Sequence, residues 1–193
     1  MIEYDRYDLT IIDNFLEQER FEHVRDAFMD RSFLWRVGPS LSDDNRTADP
    51  RFDYQCVRVM HTVGNTAEPE LIRMITPLLK PLNIRSDNVL RVKANLVLCK
   101  HEPITAGFHV DPPDAVLGKG MTAIYYINTC NGATLFENGK SVDSVANRIA
   151  IFPNDWRHTA RYQTDTATRV VINLNWLTDL EEGARITWTN KGD

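Results

Sequence analysis

The sequence predicts a mainly β protein of α+β outline, with two early helices packed on one sheet of a sandwich or jelly-roll barrel. Three observations carry this reading. From residue 89 onward, short stretches of alternating apolar and polar residues recur at close intervals, the spacing of antiparallel sandwiches and jelly rolls. Gly118, Gly120, Asn131-Gly132, Asn138-Gly139 and Pro153-Asn154 punctuate these stretches, supplying the residues that chain reversal needs. Before residue 89, two stretches repeat their apolar residues at helical spacing instead.

Residues 7–12 alternate as a short strand and lead into Asp13-Asn14, with Glu17 three positions after Asn14, the pattern of a helix cap. Phe21, Val24 and Phe28 then mark one buried helical face. Residues 40–50 are polar and turn-rich and read as a surface loop. Residues 54–60 alternate like a strand. A second helix opens near Pro69, carries Leu71, Ile75, Leu78 and Leu82 on one side, and is expected to bend or end at Pro77 and Pro81. The strands that follow are expected at 89–99, 107–111, 121–128, 133–136, 147–152, 157–162, 168–176 and 186–188. No repeat or long linker interrupts the chain, so residues 1–193 read as one domain: an N-terminal extension (1–88) and a barrel core (89–190).

Composition bounds the function classes. With 193 residues, 42% of them hydrophobic and 25% charged, the chain matches folded proteins rather than disordered ones. The longest unbroken apolar run, residues 123–127, falls far short of the ~20 residues a membrane helix requires. The first residues carry neither a basic stretch nor an apolar h-region, so no secretory signal and a cytoplasmic location are expected. Cys56, Cys99 and Cys130 are widely spaced and form no C-x-x-C pair, and they read as small buried hydrophobes rather than a disulfide framework. A net charge of −5 disfavours broad nucleic-acid binding.

Of the five histidines, His23, His61 and His101 need no metal to explain them. His109 differs, because His109-Val110-Asp111 projects an imidazole and a carboxylate from the same face of a strand. Downstream, His158 follows the strand and turn that end in Phe152-Pro153. Two histidines and one carboxylate on a β scaffold can form the facial triad of non-haem Fe(II), which leaves coordination positions open. Zinc could take the same ligands, although no H-E-x-x-H helix is present. Arg169 belongs to residues 168–176, where Arg169, Val171, Asn173 and Asn175 alternate with a wholly apolar face. An arginine facing a barrel interior needs an anion, and its planar fork matches a carboxylate bidentately.

Taken in order, these residues resemble the Fe(II)/2-oxoglutarate-dependent dioxygenases, and more closely the prolyl 4-hydroxylase-like branch. The resemblance rests on His109-Val110-Asp111, on residues 123–128, on Asn131-Gly132-Ala133-Thr134-Leu135-Phe136, on Ile151-Phe152-Pro153 before His158, and on Arg169. It implies a double-stranded β-helix of jelly-roll or cupin-like form. By the resemblance, His109, Asp111 and His158 would ligate Fe(II) as the catalytic centre. Arg169 would hold the distal carboxylate of 2-oxoglutarate, with Tyr126 and Thr134 assisting. Cys99 stands where prolyl hydroxylases often place a tyrosine near the cosubstrate, and Asn95 is offered in its stead for the keto-acid carboxylate.

The activity so implied consumes O2 and 2-oxoglutarate, releases succinate and hydroxylates a C–H bond, first of all on a protein or peptide side chain. Hydroxylation of a small molecule or a nucleobase is the alternative within the superfamily. A cupin-like module that binds metal without oxidation is the alternative outside it, and Arg169 argues against that one.

Overall fold

The structure, a computed structural model, describes residues 2–39, 54–64, 69–111 and 116–178. In chain order the elements are β1 (Thr10–Ile12), α1 (Gln18–Met29), β2 (Arg36–Pro39), β3 (Tyr54–Thr62), α2 (Pro69–Leu79), a 3-10 turn (Ser86–Asn88), β4 (Val89–Leu98), β5 (Gly120–Tyr126), β6 (Ala133–Phe136), β7 (Ser141–Asp143), β8 (Arg148–Pro153), β9 (His158–Arg161) and β10 (Thr168–Leu177). They form two antiparallel sheets, one of seven strands in the order β1-β8-β5-β10-β4-β3-β2 and one of three in the order β7-β6-β9. This is the mainly β, double-stranded β-helix architecture that the sequence predicts.

Strict alternation along the long strands assigns the two faces of the large sheet. Val170, Ile172, Leu174 and Trp176 of β10 join Val92 and Ala94 of β4, Ala123 and Tyr125 of β5, and Ile149 and Ile151 of β8 in one apolar layer. Phe21, Val24 and Phe28 of α1 and Leu71, Ile75 and Leu78 of α2 close over that layer. Burying each such side chain contributes about 1.5–3 kcal/mol, so this layer anchors the helices to the sheet. The opposite face is mixed. Ile124, Tyr126, Ala150, Phe152 and Val171 pack against Phe136 and Val142 of the small sheet. Farther along, the inward positions turn polar: Arg91, Lys93 and Asn95 on β4 stand across from Asn175, Asn173 and Val171 on β10.

Several expected boundaries shift for physical reasons. Residues 107–111 make no ladder, only a bridge between His109 and His158. Asn14 does not cap α1. It takes a left-handed φ of 50°, and the main-chain N–H groups of Phe15 and Leu16 donate to the backbone and side-chain oxygens of Asn147 at 2.9 Å each, so the helix starts only after Glu17. Pro77 lies inside α2, which ends two residues later. Strands β2 and β7 are additions to the sequence reading. Cys99 is exposed and only Cys130 is buried, so the three free thiols do not share one packing role. The expected loop at 40–50 and strand at 186–188 lie outside the described residues. No described helix is long and apolar enough to cross a membrane.

Candidate functional site

The bridge between His109 and His158 brings together two segments far apart in sequence, and Asp111 completes the group. One ligand atom from each of the three residues lies within 4.8 Å of the others. Each imidazole is aimed by its own backbone. Nδ1–H of His109 donates to Gly107 C=O at 3.2 Å, and Nδ1–H of His158 donates to Trp156 C=O at 3.1 Å. Carbonyls only accept, so both protons sit on Nδ1 and both Nε2 lone pairs face inward, the arrangement that metal-bound histidines adopt. Nε2 of His109 lies 3.9 Å from Asp111 Oδ1, and Nε2 of His158 lies 3.9 Å from Asp111 Oδ2.

Electrostatics keep these three side chains in forms able to bind a metal. Burial, then the neighbouring His109, pushes the His158 imidazole down to about 4, so it is neutral at neutral pH. Its Nε2 is buried without a hydrogen-bond partner, a lone pair suited to a cation. Burial by itself raises the Asp111 carboxyl, but Arg91, His158, His109 and Lys93 together hold it well below the usual carboxylate range. Arg91 Nη2 pairs with Asp111 Oδ1 at 2.8 Å, and the Asn173 and Asn175 amides donate to Oδ2 at 3.3 Å. His109 is one-third exposed on its side chain and His158 almost wholly covered, so the centre opens on the His109 side. Phe136 and Phe152 stack beside His158 with ring centroids at 6.3 and 5.0 Å.

Arg169 lies deeper in the same interior and is 3% exposed. Its Nε donates to Ser144 Oγ at 2.6 Å and its Nη2 to Thr134 Oγ1 at 3.3 Å. Tyr126 OH donates to the same Thr134 oxygen at 2.8 Å, and its ring lies 5.6 Å from the guanidinium carbon. Burial lowers the Arg169 pKa and raises that of Tyr126. Among the described residues no carboxylate pairs with Arg169, so a buried cation stands ready for an external anion. Gly132 makes room for it: a Cβ there would sit 2.9 Å from Arg169 Cδ and 3.1 Å from Arg161 O.

The structure therefore gathers His109, Asp111 and His158 at one point and Arg169, Tyr126 and Thr134 at another. Asn95 points into the same interior from β4, level with Val171. His23 and His101 lie at the surface, and His61 contacts Val89 C=O at 3.3 Å, apart from the triad. Sequence reasoning missed Ser144, Gly132, Arg91 and Lys93. Arg91 and Lys93 carried a readable signal: the alternation Arg91-Val92-Lys93-Ala94-Asn95 is the same one that turned Arg169 inward.

No protein-family model and no curated protein matches the chain. Solved structures do match. A prolyl hydroxylase from Trichoplax adhaerens, in complex with a hypoxia-inducible-factor oxygen-degradation-domain peptide fragment, is 20% identical over 88% of this chain and 83% of its own, with a TM-score of 0.57. SnoK, a non-haem α-ketoglutarate-dependent carbocyclase from nogalamycin biosynthesis, is 12% identical over 88% and 79%, with a TM-score of 0.59. HygX from Streptomyces hygroscopicus, solved with iron bound, is 10% identical over 88% and 81%, with a TM-score of 0.53. Many further neighbours are 2-oxoglutarate/Fe(II) oxygenases, and the chain has their fold.

Proposed function

We propose that this chain is an Fe(II)- and 2-oxoglutarate-dependent oxygenase that hydroxylates a C–H bond on a protein or peptide side chain, in the manner of a prolyl hydroxylase. The observation that carries the reading is the pairing of two features in one barrel: a His-Asp-His cluster with its Nε2 atoms turned inward, and a buried arginine that no described carboxylate neutralises. A metal-storage or sugar-binding module would need the first and not the second.

The donor set fits the metal. Two neutral imidazoles and one carboxylate suit non-haem Fe(II), and the orphaned Nε2 of His158 offers its lone pair to such an ion. In this reading His109, Asp111 and His158 hold iron, Arg169 clamps the distal carboxylate of 2-oxoglutarate, Thr134 and Tyr126 fix the guanidinium, and Asn95 meets the keto-acid end. Iron and 2-oxoglutarate, when bound, supply the oxidising chemistry: O2 is consumed, 2-oxoglutarate loses CO2 to become succinate, and one oxygen atom enters the substrate C–H bond.

The chain's own contribution is placement. The carbonyls of Gly107 and Trp156 orient the two imidazoles, the amides of Asn173 and Asn175 hold the Asp111 carboxylate, and Phe136 and Phe152 exclude water from the His158 side. Support for a peptide substrate comes from the peptide-bound neighbour from Trichoplax adhaerens. Support for a small molecule comes from SnoK.

The test is uncoupled turnover. The purified chain, supplied with Fe(II), 2-oxoglutarate and O2 but no substrate, is expected to release succinate slowly, and Arg169→Lys is expected to suppress that release. Absence of succinate together with absence of 2-oxoglutarate binding would overturn the reading.

A further inference from the structure

Phe136 and Val142 of the small sheet pack against β5, β8 and the start of β10. On the same face of the large sheet, the positions of β4 are Arg91, Lys93 and Asn95, cross-strand from Asn175, Asn173 and Val171. Arg36 of β2 shares this face through its register with Val57 and Asn95. This face thus carries two buried basic side chains, Arg91 and Lys93, with the exposed Arg36 at its edge, and Asp111 is the one carboxylate that acts on Lys93 among the described residues. Asp111 already pairs with Arg91 and belongs to the triad.

Lys93 is 7% exposed and Asn173 is 9% exposed. Asn173 donates its amide to Asp111 Oδ2 but leaves its own Oδ1 buried with no donor. A cationic side chain, 7% exposed, and a buried acceptor without a donor therefore stand opposite one another on paired strands. Burial followed by the repulsion of Arg91 pushes Lys93 down to about 8. A dication on Asp111 would deepen the local positive excess. Arg169, which serves 2-oxoglutarate in the proposed function, lies four residues earlier on β10 than Asn173, roughly 13 Å of strand away.

We propose that Lys93, with Asn173 beside it, forms a subsite for a carboxylate borne by the primary substrate, which sets an acid group next to the C–H bond that is oxidised. Asn173 Oδ1 takes an N–H adjacent to that carboxylate. The combination of acid and neighbouring N–H occurs in N-acylated amino acids and in an acidic residue within a peptide. It is lacking at an internal, uncharged peptidyl proline. This inference rests on the oxygenase reading and narrows its substrate.

The experiment uses the full chain with Mn(II) in place of iron, saturating 2-oxoglutarate and no turnover. Mn(II) and 2-oxoglutarate binding are measured first; if neither binds, the oxygenase reading fails and this proposal with it. Matched probes then differ only in the acid: N-acetylalanine and N-acetylleucine against their amides, and N-acetyl, C-amidated Ala-Asp-Ala against Ala-Asn-Ala. Line broadening of the probe protons by Mn(II) reports both affinity and closeness to the triad. In at least one pair the acid is expected to bind about tenfold more tightly than the amide, about 1.4 kcal/mol. The pair that discriminates tells a small molecule from a peptide. Lys93→Met and Lys93→Gln are both expected to reduce the acid to the level of its amide while 2-oxoglutarate affinity stays within about twofold. Equal binding of acid and amide across the panel, no acid bound at all, undiminished acid binding by both variants, or a tenfold loss of 2-oxoglutarate affinity in them would each overturn the proposal.

Discussion

His109 and His158 are bonded to each other through their main chains: His109 N–H donates to His158 C=O at 3.0 Å, and His158 N–H donates to His109 C=O at 2.9 Å. A residue pair that exchanges both bonds carries its side chains on the same side, and the two rings lie 4.9 Å apart. The distance between the imidazoles is thus fixed by backbone, before any metal arrives. The carboxylate of Asp111 is fixed separately, by Arg91, Asn173 and Asn175.

His158→Ala and Asp111→Asn are each expected to abolish stoichiometric metal binding while leaving the circular dichroism spectrum intact, as checked by metal analysis of dialysed protein. Both variants remove the charge that faces Arg91, but Asp111→Ala also removes every oxygen that accepts from Arg91, Asn173 and Asn175, whereas Asn keeps one; leaving a buried donor unmet costs about 1–3 kcal/mol. Denaturant titration should therefore rank Asp111→Ala clearly below Asp111→Asn.

Arg169→Lys keeps the charge and loses the fork. Disturbing a buried charge pair in this way is expected to weaken 2-oxoglutarate by about 2–5 kcal/mol, measured by calorimetry on metal-loaded protein. Gly132→Ala tests the same clamp from outside, because its Cβ would press on Arg169 Cδ and on the Arg161 carbonyl. Its 2-oxoglutarate affinity should fall while its metal content stays that of the parent.

Asn147 joins the N-terminal segment to the barrel. It is buried at a φ of 61°, its Oδ1 accepts from Leu16 N–H and Tyr125 OH, and its Nδ2 donates to Leu16 C=O. Asn147→Ala leaves three buried partners unmet, at about 1–3 kcal/mol for an orphaned group, and adds left-handed backbone strain. Asn147→Gly relieves the strain alone and is expected to fall between Ala and the parent in urea denaturation.

Lys93 gives the protein a pH signature. Its folded-state pKa is about 8 against an ordinary 10.5, so between those values the unfolded chain holds a proton that the folded chain has released. Stability then rises with pH across that window, and the charged lysine costs on the order of 3 kcal/mol at neutral pH. Lys93→Met is expected to be more stable than the parent near pH 7 and to lose the rise above pH 8. An unchanged slope in denaturation midpoints across this range would contradict the assignment.

Much of this was legible in sequence because period-two alternation in β10 and β4 divides apolar from polar residues so cleanly. Val170, Ile172 and Leu174 announce a helix-covered face, and Arg169 and Asn173 announce the interior. The short strands were less visible. β7 is three residues long, too brief for periodicity to register, and β2 ends at a proline. The cap of α1 was misplaced because its determinant, Asn147, lies far along the chain, a tertiary tie that no local pattern encodes. Ser144 escaped notice for the same reason: a lone serine in a turn gains its meaning only when folding carries Arg169 to it.

The most direct test is an anaerobic calorimetric titration of 2-oxoglutarate into the chain with and without Fe(II), repeated with Asp111→Asn and Arg169→Lys. The account predicts binding that is at least about tenfold tighter with iron, an iron-dependent gain that vanishes in Asp111→Asn, and affinity lost in Arg169→Lys whether iron is present or not. Binding that ignores the metal, or that survives both substitutions, would contradict it.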